Sequence, residues 1–362
     1  MASSSRKKRP ARVFFVALLV TILYFIVFPY PLGREIVAKP AWAVTLPASG
    51  AAGGSAAAGS TAAAFQLGGT FGYITGDGGL LHAEKTLFRV TLAETGFINY
   101  TRLGTDWLLQ DRNGKRVLSF SGHGYPLLSG DGKRIFNVKT DLTGIIESDK
   151  AGEPLWDRDF PSMMTSISLR GESLLVGLLN GTLLLLGRQG SPLFEYAPGE
   201  SRIPVILGDA VSGDGALLAA VSGIDPQYLT VMRRGGSTFA RLSKTALSSD
   251  FRREVRMSFS PDSRFLMLEG ERSAGLYDPA SRRLSWVSLR GTVAGMSFPG
   301  RGQYAALAAR DGPLAELCIV GPFTAPILRE SFPAHELSLG EVDGQLLMGI
   351  DDRLLRIDIE VM

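Results

Sequence analysis

The chain has 362 residues, 45% of them hydrophobic and 20% charged, and this balance excludes a wholly disordered protein. The formal net charge is +3, but five basic residues stand in the first twelve positions, so the rest of the chain carries −2 and a nucleic-acid partner is not expected. The single cysteine, Cys318, excludes an intramolecular disulfide framework and a cysteine-rich zinc site.

The N-terminus predicts a membrane anchor. Residues 1–12 form a basic tail, and Val13 to Leu32 are 20 residues without a charge, enough for a helix to cross about 30 Å of hydrocarbon. Basic residues before the span favour a cytoplasmic N-terminus. We therefore expect a single-pass signal-anchor helix in the inner (cytoplasmic) membrane, with the remainder extracytoplasmic (periplasmic). The alternatives are signal-peptide cleavage after Ala43 and a buried structural helix.

Residues 33–65 are predicted to be a linker. Most of this range is rich in Ala, Gly and Ser, and small side chains offer little apolar area to offset the entropy of ordering. Such a linker would let a folded domain stand away from a membrane.

Residues 66–362 carry two recurring turn signals. One is typified by Asp111 to Gly114 and Asp149 to Gly152. The other begins at Ser129, Ser212 and Ser260, recurs about every 42 residues, and precedes a short apolar run each time. Short apolar runs between Gly and Ser are typical of buried strands, and this period is typical of a four-stranded propeller blade. The alternative all-β architecture is a pair of sandwiches.

The segment Ser258 to Leu268, SFSPDSRFLML, resembles the strand pair of WD-repeat and TolB-type propellers. Asp149 to Trp156, DKAGEPLW, is similar to a motif of quinoprotein-like propellers. The resemblance implies an all-β fold, a β-propeller, over residues 66–362. It implies little about activity, because unrelated functions share the propeller.

Dividing the repeat region by its period predicts seven blades, with six or eight as alternatives. By this count the chain ends one strand short, so the ring should be closed by an N-terminal strand. We expect Leu354 to Ile359 to be the third strand of the last blade and Phe71 to Thr75 its outer strand.

Candidate sites in the sequence are few. His82, His123 and His335 precede or begin predicted inner strands, so three imidazoles could share one face and bind a metal, although unrelated surface histidines are the simpler interpretation. Arg252, Arg253 and neighbouring arginines indicate a solvated rim or a patch for an acidic partner. No phosphate loop or nucleophile elbow is present, so no catalytic residue and no cofactor is predicted.

The sequence therefore predicts a membrane-anchored extracytoplasmic propeller that binds a protein partner or ligand and performs no chemistry. The alternative is a propeller enzyme, a lyase or hydrolase, with its site in the central channel. A titratable cluster lining that channel would favour the enzyme.

Overall fold

The structure is a computed structural model that describes residues 18, 21, 24, 36–47, 61–321 and 325–361. The chain divides into two units. The larger, residues 39–358, is the propeller, and the smaller consists of residues 1–38 and 359–362.

The described residues form eight antiparallel sheets, each a blade. The strands of blades 1 to 4 are β2 (Ala62–Leu67), β3 (Thr70–Thr75), β4 (Leu80–Lys85); β5 (Arg89–Leu92), β6 (Gly96–Tyr100), β7 (Asp106–Asp111), β8 (Arg116–Ser121); β9 (Tyr125–Leu128), β10 (Ile135–Val138), β11 (Gly144–Ser148), β12 (Pro154–Asp159); β13 (Met164–Arg170), β14 (Ser173–Leu178), β15 (Leu183–Leu186), β16 (Pro192–Tyr196).

The strands of blades 5 to 8 are β17 (Ile203–Val211), β18 (Leu217–Ile224), β19 (Gln227–Gly235), β20 (Thr238–Leu247); β21 (Met257–Phe259), β22 (Leu266–Gly270), β23 (Ser273–Asp278), β24 (Arg283–Ser288); β25 (Thr292–Ser297), β26 (Ala305–Asp311), β27 (Leu314–Val320), β28 (Pro326–Pro333); β29 (Leu337–Val342), β30 (Gln345–Ile350), β31 (Arg353–Val361) and β1 (Ile36–Thr45).

Each blade is a meander whose first strand lies innermost, and the inner strand β2 of blade 1 packs against β29 of blade 8, which closes the ring. The prediction of seven blades is wrong, because the described chain has eight. The physical reason is the short start: the inner strands of blades 1 and 2 begin at Ala62 and Arg89, only 27 residues apart. Dividing the chain by a uniform period of about 42 residues therefore gives too few blades.

The hydrophobic core is divided among the spaces between blades. One cluster joins Leu207 of blade 5 to Phe259 of blade 6, and another joins Phe136 of blade 3 to Leu174 of blade 4. Both faces of a strand in the middle of a blade are therefore covered, which explains why apolar runs rather than alternating patterns mark these strands.

The recurring Ser-x-Asp signal forms the same turn in blades 3, 5 and 6, between the first and second strands. In each, the serine Oγ donates to the aspartate Oδ1 at 2.6–2.7 Å. The same Oγ accepts the backbone N–H five residues on, and the carboxylate accepts the one two residues on. The aspartates are thus turn formers, as the sequence indicated.

Blade 1 is inverted: its inner strand β2 runs in the opposite direction to the inner strands of its neighbours. Its first turn, at Gly68, lies beside Glu336, which precedes the inner strand of blade 8. Its second turn, at Gly76, lies beside Asp343, which is in the first turn of blade 8. Strands β2 and β5 begin at opposite faces of the ring. Blade 1 therefore needs an odd number of strands to carry the chain from one face to the other. Blade 1 accordingly has three strands in the described chain.

Blade 8 is closed by β1, which pairs with β31 as its fourth strand. The prediction that Leu354 to Ile359 form the third strand is confirmed, whereas the prediction that Phe71 to Thr75 form the outer strand is wrong, because those residues are in the middle of blade 1. Strand β1 lies within the predicted linker, residues 33–65, so that linker does not extend over residues 36–45, and the propeller begins ahead of residue 66.

The predicted transmembrane helix, Val13 to Leu32, is not supported. Within the residues that the structure describes, no helix is both long and apolar enough to span a membrane. The predicted span lies outside those residues except at positions 18, 21 and 24.

Arginine–carboxylate pairs, one buried and one half-buried, join neighbouring blades. Arg134 and Glu147 of blade 3 are each 4% exposed at the side chain and form two parallel hydrogen bonds of 2.8 and 2.7 Å. Arg134 also donates to the backbone oxygen of Glu172 in blade 4. Arg356 of blade 8 similarly pairs with Asp358 and donates to Gly76 of blade 1. Such bidentate pairs fix geometry because the guanidinium is a planar fork.

The two faces of β1 allow a direct test of ring closure. Val44 packs into the core between blades 8 and 1, whereas Ala43 is exposed. Val44→Asp should lower the free energy of unfolding by at least about 3 kcal/mol, because it places an unpaired charge against that core. The matched variant Ala43→Asp should cost less than about 0.5 kcal/mol. Urea unfolding measures both, and equal losses would contradict the assignment of β1.

Candidate functional site

The propeller has two distinct faces. In blades 2 to 8 the connections that enter each inner strand and the turns between second and third strands lie on one face, which we call the upper face. The Ser-x-Asp turns lie on the opposite, lower face. Neighbouring lower-face turns contact each other, as where the Gly300 N–H donates to the Gly344 oxygen at 2.6 Å.

Exposed apolar side chains gather on the upper face. Leu103 is 91% exposed in the turn between β6 and β7. The other large apolar residues exposed at upper-face connections or strand starts are Leu87, Phe88, Met163, Leu179, Ile203 and Leu314. Leu314 starts β27 of blade 7, whereas the other six, Leu103 included, belong to the arc from the end of blade 1 to the start of blade 5. Exposed apolar residues grouped in this way are typical of interaction sites.

A cavity of about 450 Å³ opens beside this arc, at the mouth of the central channel. It is lined by the starts of inner strands β5, β9 and β13 and by Glu254 from the loop before β21. Its walls are aromatic and aliphatic, with a few polar groups: Phe88, Tyr100, Tyr125, Leu127, Leu142, Met164, Arg89, Ser166 and Glu254. This volume and mixture are typical of ligand pockets.

One carboxyl group lines the cavity, and a second is buried behind its wall. Glu254 is solvent-accessible but stands in a concave site, where reduced hydration raises its pKa although Arg89 and Arg256 oppose the change. Asp209, on inner strand β17, is 8% exposed and accepts a short hydrogen bond from the hydroxyl of Ser166. Its other oxygen, Oδ1, is buried and has no hydrogen-bond partner within the part of the chain that the structure describes.

Burial raises the pKa of Asp209 to about 7. Desolvation is the main cause, the Ser166 hydrogen bond opposes it, and the negative charge of Glu254 adds to it. The charge of Glu254 therefore adds to the effect of burial in favouring the protonated form of Asp209. The site therefore holds two acids that repel each other when both are ionised.

Arg89 is the one basic residue that lines the described cavity. Its guanidinium lies over the ring of Phe88, 5.5 Å from the centroid. No ion pair joins Arg89 to Glu254 in the described part of the chain, so each keeps hydrogen-bonding capacity toward the cavity.

The arginines that the sequence singled out are largely occupied. Arg253 and Arg256 both pair with Glu269, whose side chain is buried, and Arg252 pairs with Asp250. Arg256 also donates to the backbone of blade 7. These contacts favour a structural role over a free basic patch.

The three candidate histidines are not brought together. His82 is buried between blades 1 and 2, stacked on Phe97 at 5.1 Å and close to Gly114 in a lower-face turn. His123 and His335 are exposed in upper-face connections. In the described ranges, no group of three or more His, Cys, Asp or Glu residues is placed to hold a metal ion.

Sequence reasoning missed Arg89, Ser166, Asp209 and Glu254. Asp209 did leave a signal, since it is the one charged residue in the otherwise apolar stretch from Ile203 to Val211. Glu254 left another, as an acid between Arg253 and Arg256. Only the closed ring shows that these residues, far apart in the chain, face the same channel.

Comparison with known proteins places the fold. A family model described as beta-propeller protein matches residues 4–362. The chain belongs to this β-propeller family. A Treponema pallidum (strain Nichols) protein described as uncharacterized is 22% identical over 365 residues, covering 98% of this chain and 95% of that protein.

Solved structures agree on the fold. BamB from Moraxella catarrhalis aligns with a TM-score of 0.61 at 15% identity, over 89% of this chain and 100% of BamB. The β-propeller domain of Cps50 (Swd1) from Myceliophteria thermophila aligns with a TM-score of 0.50 at 12% identity, over 75% of this chain and 95% of that domain. At these identities the likeness shows the propeller fold alone.

The raised pKa of Asp209 makes stability depend on pH. Between about pH 4 and 7 the unfolded chain loses a proton that the native state keeps, so the free energy of unfolding falls as pH rises, by at most about 1.4 kcal/mol per pH unit. Asp209→Asn should flatten this fall when urea unfolding is compared at pH 5 and pH 8. Asp131→Asn, in a turn where hydrogen bonds lower the pKa, should keep the wild-type difference. An unchanged difference in Asp209→Asn would contradict the assignment.

Proposed function

We propose that this propeller is a binding scaffold for a protein partner, which it holds on the upper face around the channel mouth. The observation that carries the proposal is the cluster of six exposed apolar residues beside an open cavity. Apolar anchors around a pocket are the usual centre of a protein interface.

The rigidity of the ring supports the same proposal. The upper-face loops are anchored on sheets that share buried cores and arginine pairs, so they are ordered before a partner arrives. A pre-ordered surface loses less conformational entropy on binding. The lower face is less suited to recognising a partner, because turns in three of its blades share the same hydrogen-bonding pattern.

The alternative of a propeller enzyme has weaker support. The channel does hold a titratable cluster, but of its two carboxyl groups only Glu254 lines the cavity. Asp209 lies behind Ser166 and is closed off from a bound substrate. Acid–base catalysis by a carboxyl pair requires both groups within reach of the substrate.

We also propose, from the sequence, that the propeller lies outside the cytoplasm. A basic segment followed by an apolar one is typical of exported chains. A reporter that is active only outside the cytoplasm, fused after Met362, should therefore be active. A silent fusion, beside a cytoplasmic reporter that is active at the same position, would contradict this location.

Site-specific photo-crosslinking in intact cells tests the scaffold. A photoreactive residue replacing Leu103, on the upper face, should give a discrete adduct with one partner. The same residue replacing Leu193, which is 55% exposed on the outer strand of blade 4, should not.

The adduct from position 103 should also disappear in the Leu179→Asp background, because a charge there removes part of the apolar surface two blades away. Identical adduct patterns from positions 103 and 193, or an adduct indifferent to Leu179→Asp, would overturn the proposal.

A further inference from the structure

Two carboxyl groups and a hydroxyl group lie at or behind the wall of the upper-face cavity. Glu254 and Ser166 line it, and Asp209 stands directly behind Ser166. Among the described residues, the Glu254 carboxylate makes no hydrogen bond or ion pair with a side chain, although Arg89 lies near enough to affect its charge. A charged group left unpaired in a concave site is a position where a ligand can contribute the missing partner.

We infer that this cavity binds an organic cation, an alkyl guanidinium or alkyl ammonium group, through the Glu254 carboxylate and the Ser166–Asp209 pair. As a partner's side chain, the cation would deepen the proposed function, and to that extent the inference rests on it. The cation would form an ion pair with Glu254 and lie near the hydroxyl of Ser166, behind which Asp209 is buried.

The repulsion between the two acids favours this ligand. The negative charge of Glu254 disfavours ionisation of Asp209, whose Oδ1 has no hydrogen-bond partner among the described residues. A cation bound at Glu254 would offset the negative charge that opposes ionisation of Asp209 behind Ser166. An anion would meet Glu254 directly and would have Arg89 as its only basic partner in the cavity lining.

The cavity walls also suit a cation with an apolar stem. Tyr125 and Phe88 present aromatic rings, whose faces attract guanidinium and ammonium groups. Arg89 already lies over the ring of Phe88, so a ligand cation would contact Tyr125 instead. The aliphatic side chains of Leu127, Leu142 and Met164 could contact the methylene stem.

A metal ion fits the site less well than an organic cation. In the described residues no group of three or more His, Cys, Asp or Glu side chains is placed for a metal, and at this cavity only two carboxyl groups converge. A volume of about 450 Å³ is far larger than a bare ion needs and matches a side chain with its flanking residues.

Titration of the purified full-length chain tests the inference. The probes are agmatine and the peptide acetyl-Leu-Arg-Leu-amide, with acetyl-Leu-Glu-Leu-amide as the opposite-charge probe, and binding is followed by calorimetry. Both cations should bind saturably, and Glu254→Gln should weaken them at least tenfold. Glu254→Asp, which keeps the charge, should recover part of the affinity.

The matched control is Glu330→Gln, at an exposed acid on the outer strand of blade 7, and it should bind like the wild type. Thermal unfolding verifies that each variant is folded. Wild-type affinity in folded Glu254→Gln, no binding of either cation to the wild type, or equal binding of the anionic peptide would overturn the inference.

The two probes also separate the sources of the cation. Peptide binding at least tenfold tighter than agmatine binding supports a cation delivered by a protein partner, and equal affinities support a free small cation. Failure of both cations to bind, with the crosslink from position 103 intact, would overturn the cation site and leave the scaffold standing.

Discussion

Ring closure is the constraint on which this structure depends. Each blade buries its faces against its neighbours, so an open ring would leave two sheet faces and a strand edge in water. The chain closes the ring by placing β1 beside β31 and by packing β2 against β29. Blade 1 is inverted and has three strands, so it carries the chain from the lower edge, where β2 begins, to the upper edge, where β5 begins.

In the closed ring, the lower face and the upper face have different roles. On the lower face, short turns are stabilised internally by repeated Ser–Asp hydrogen bonds. On the upper face, the connections differ from blade to blade and carry exposed apolar side chains and the charged groups of the channel mouth. Loops on a rigid frame can vary without cost to the core, which makes the upper face the natural place for specificity.

The sequence could predict the fold class because its turns repeat. Ser129, Ser212 and Ser260 begin equivalent turns, and the intervals between them correspond to two blades and then one. The blade count could not be predicted, because blade 1 lacks that turn and β1 lies in a stretch without a repeat signal.

The candidate site was hidden for a similar reason. Asp209 and Glu254 lie on different blades, and no local spacing relates them. The histidines were more conspicuous in the sequence, yet His82 is buried between two blades and the other two are exposed elsewhere. Polar residues within apolar strands, such as Asp209, are a better guide in a propeller than residue type alone.

Hydrogen exchange of the native protein, followed by mass spectrometry, tests the closed ring most directly. If β1 is the fourth strand of blade 8, amides in residues 39–45 that bond to β31 exchange as slowly as those of the outer strands of blades 2 to 7. If residues 39–45 exchange as fast as exposed loops while β30 stays protected, β1 does not complete blade 8 and the ring is not closed by the N-terminal strand.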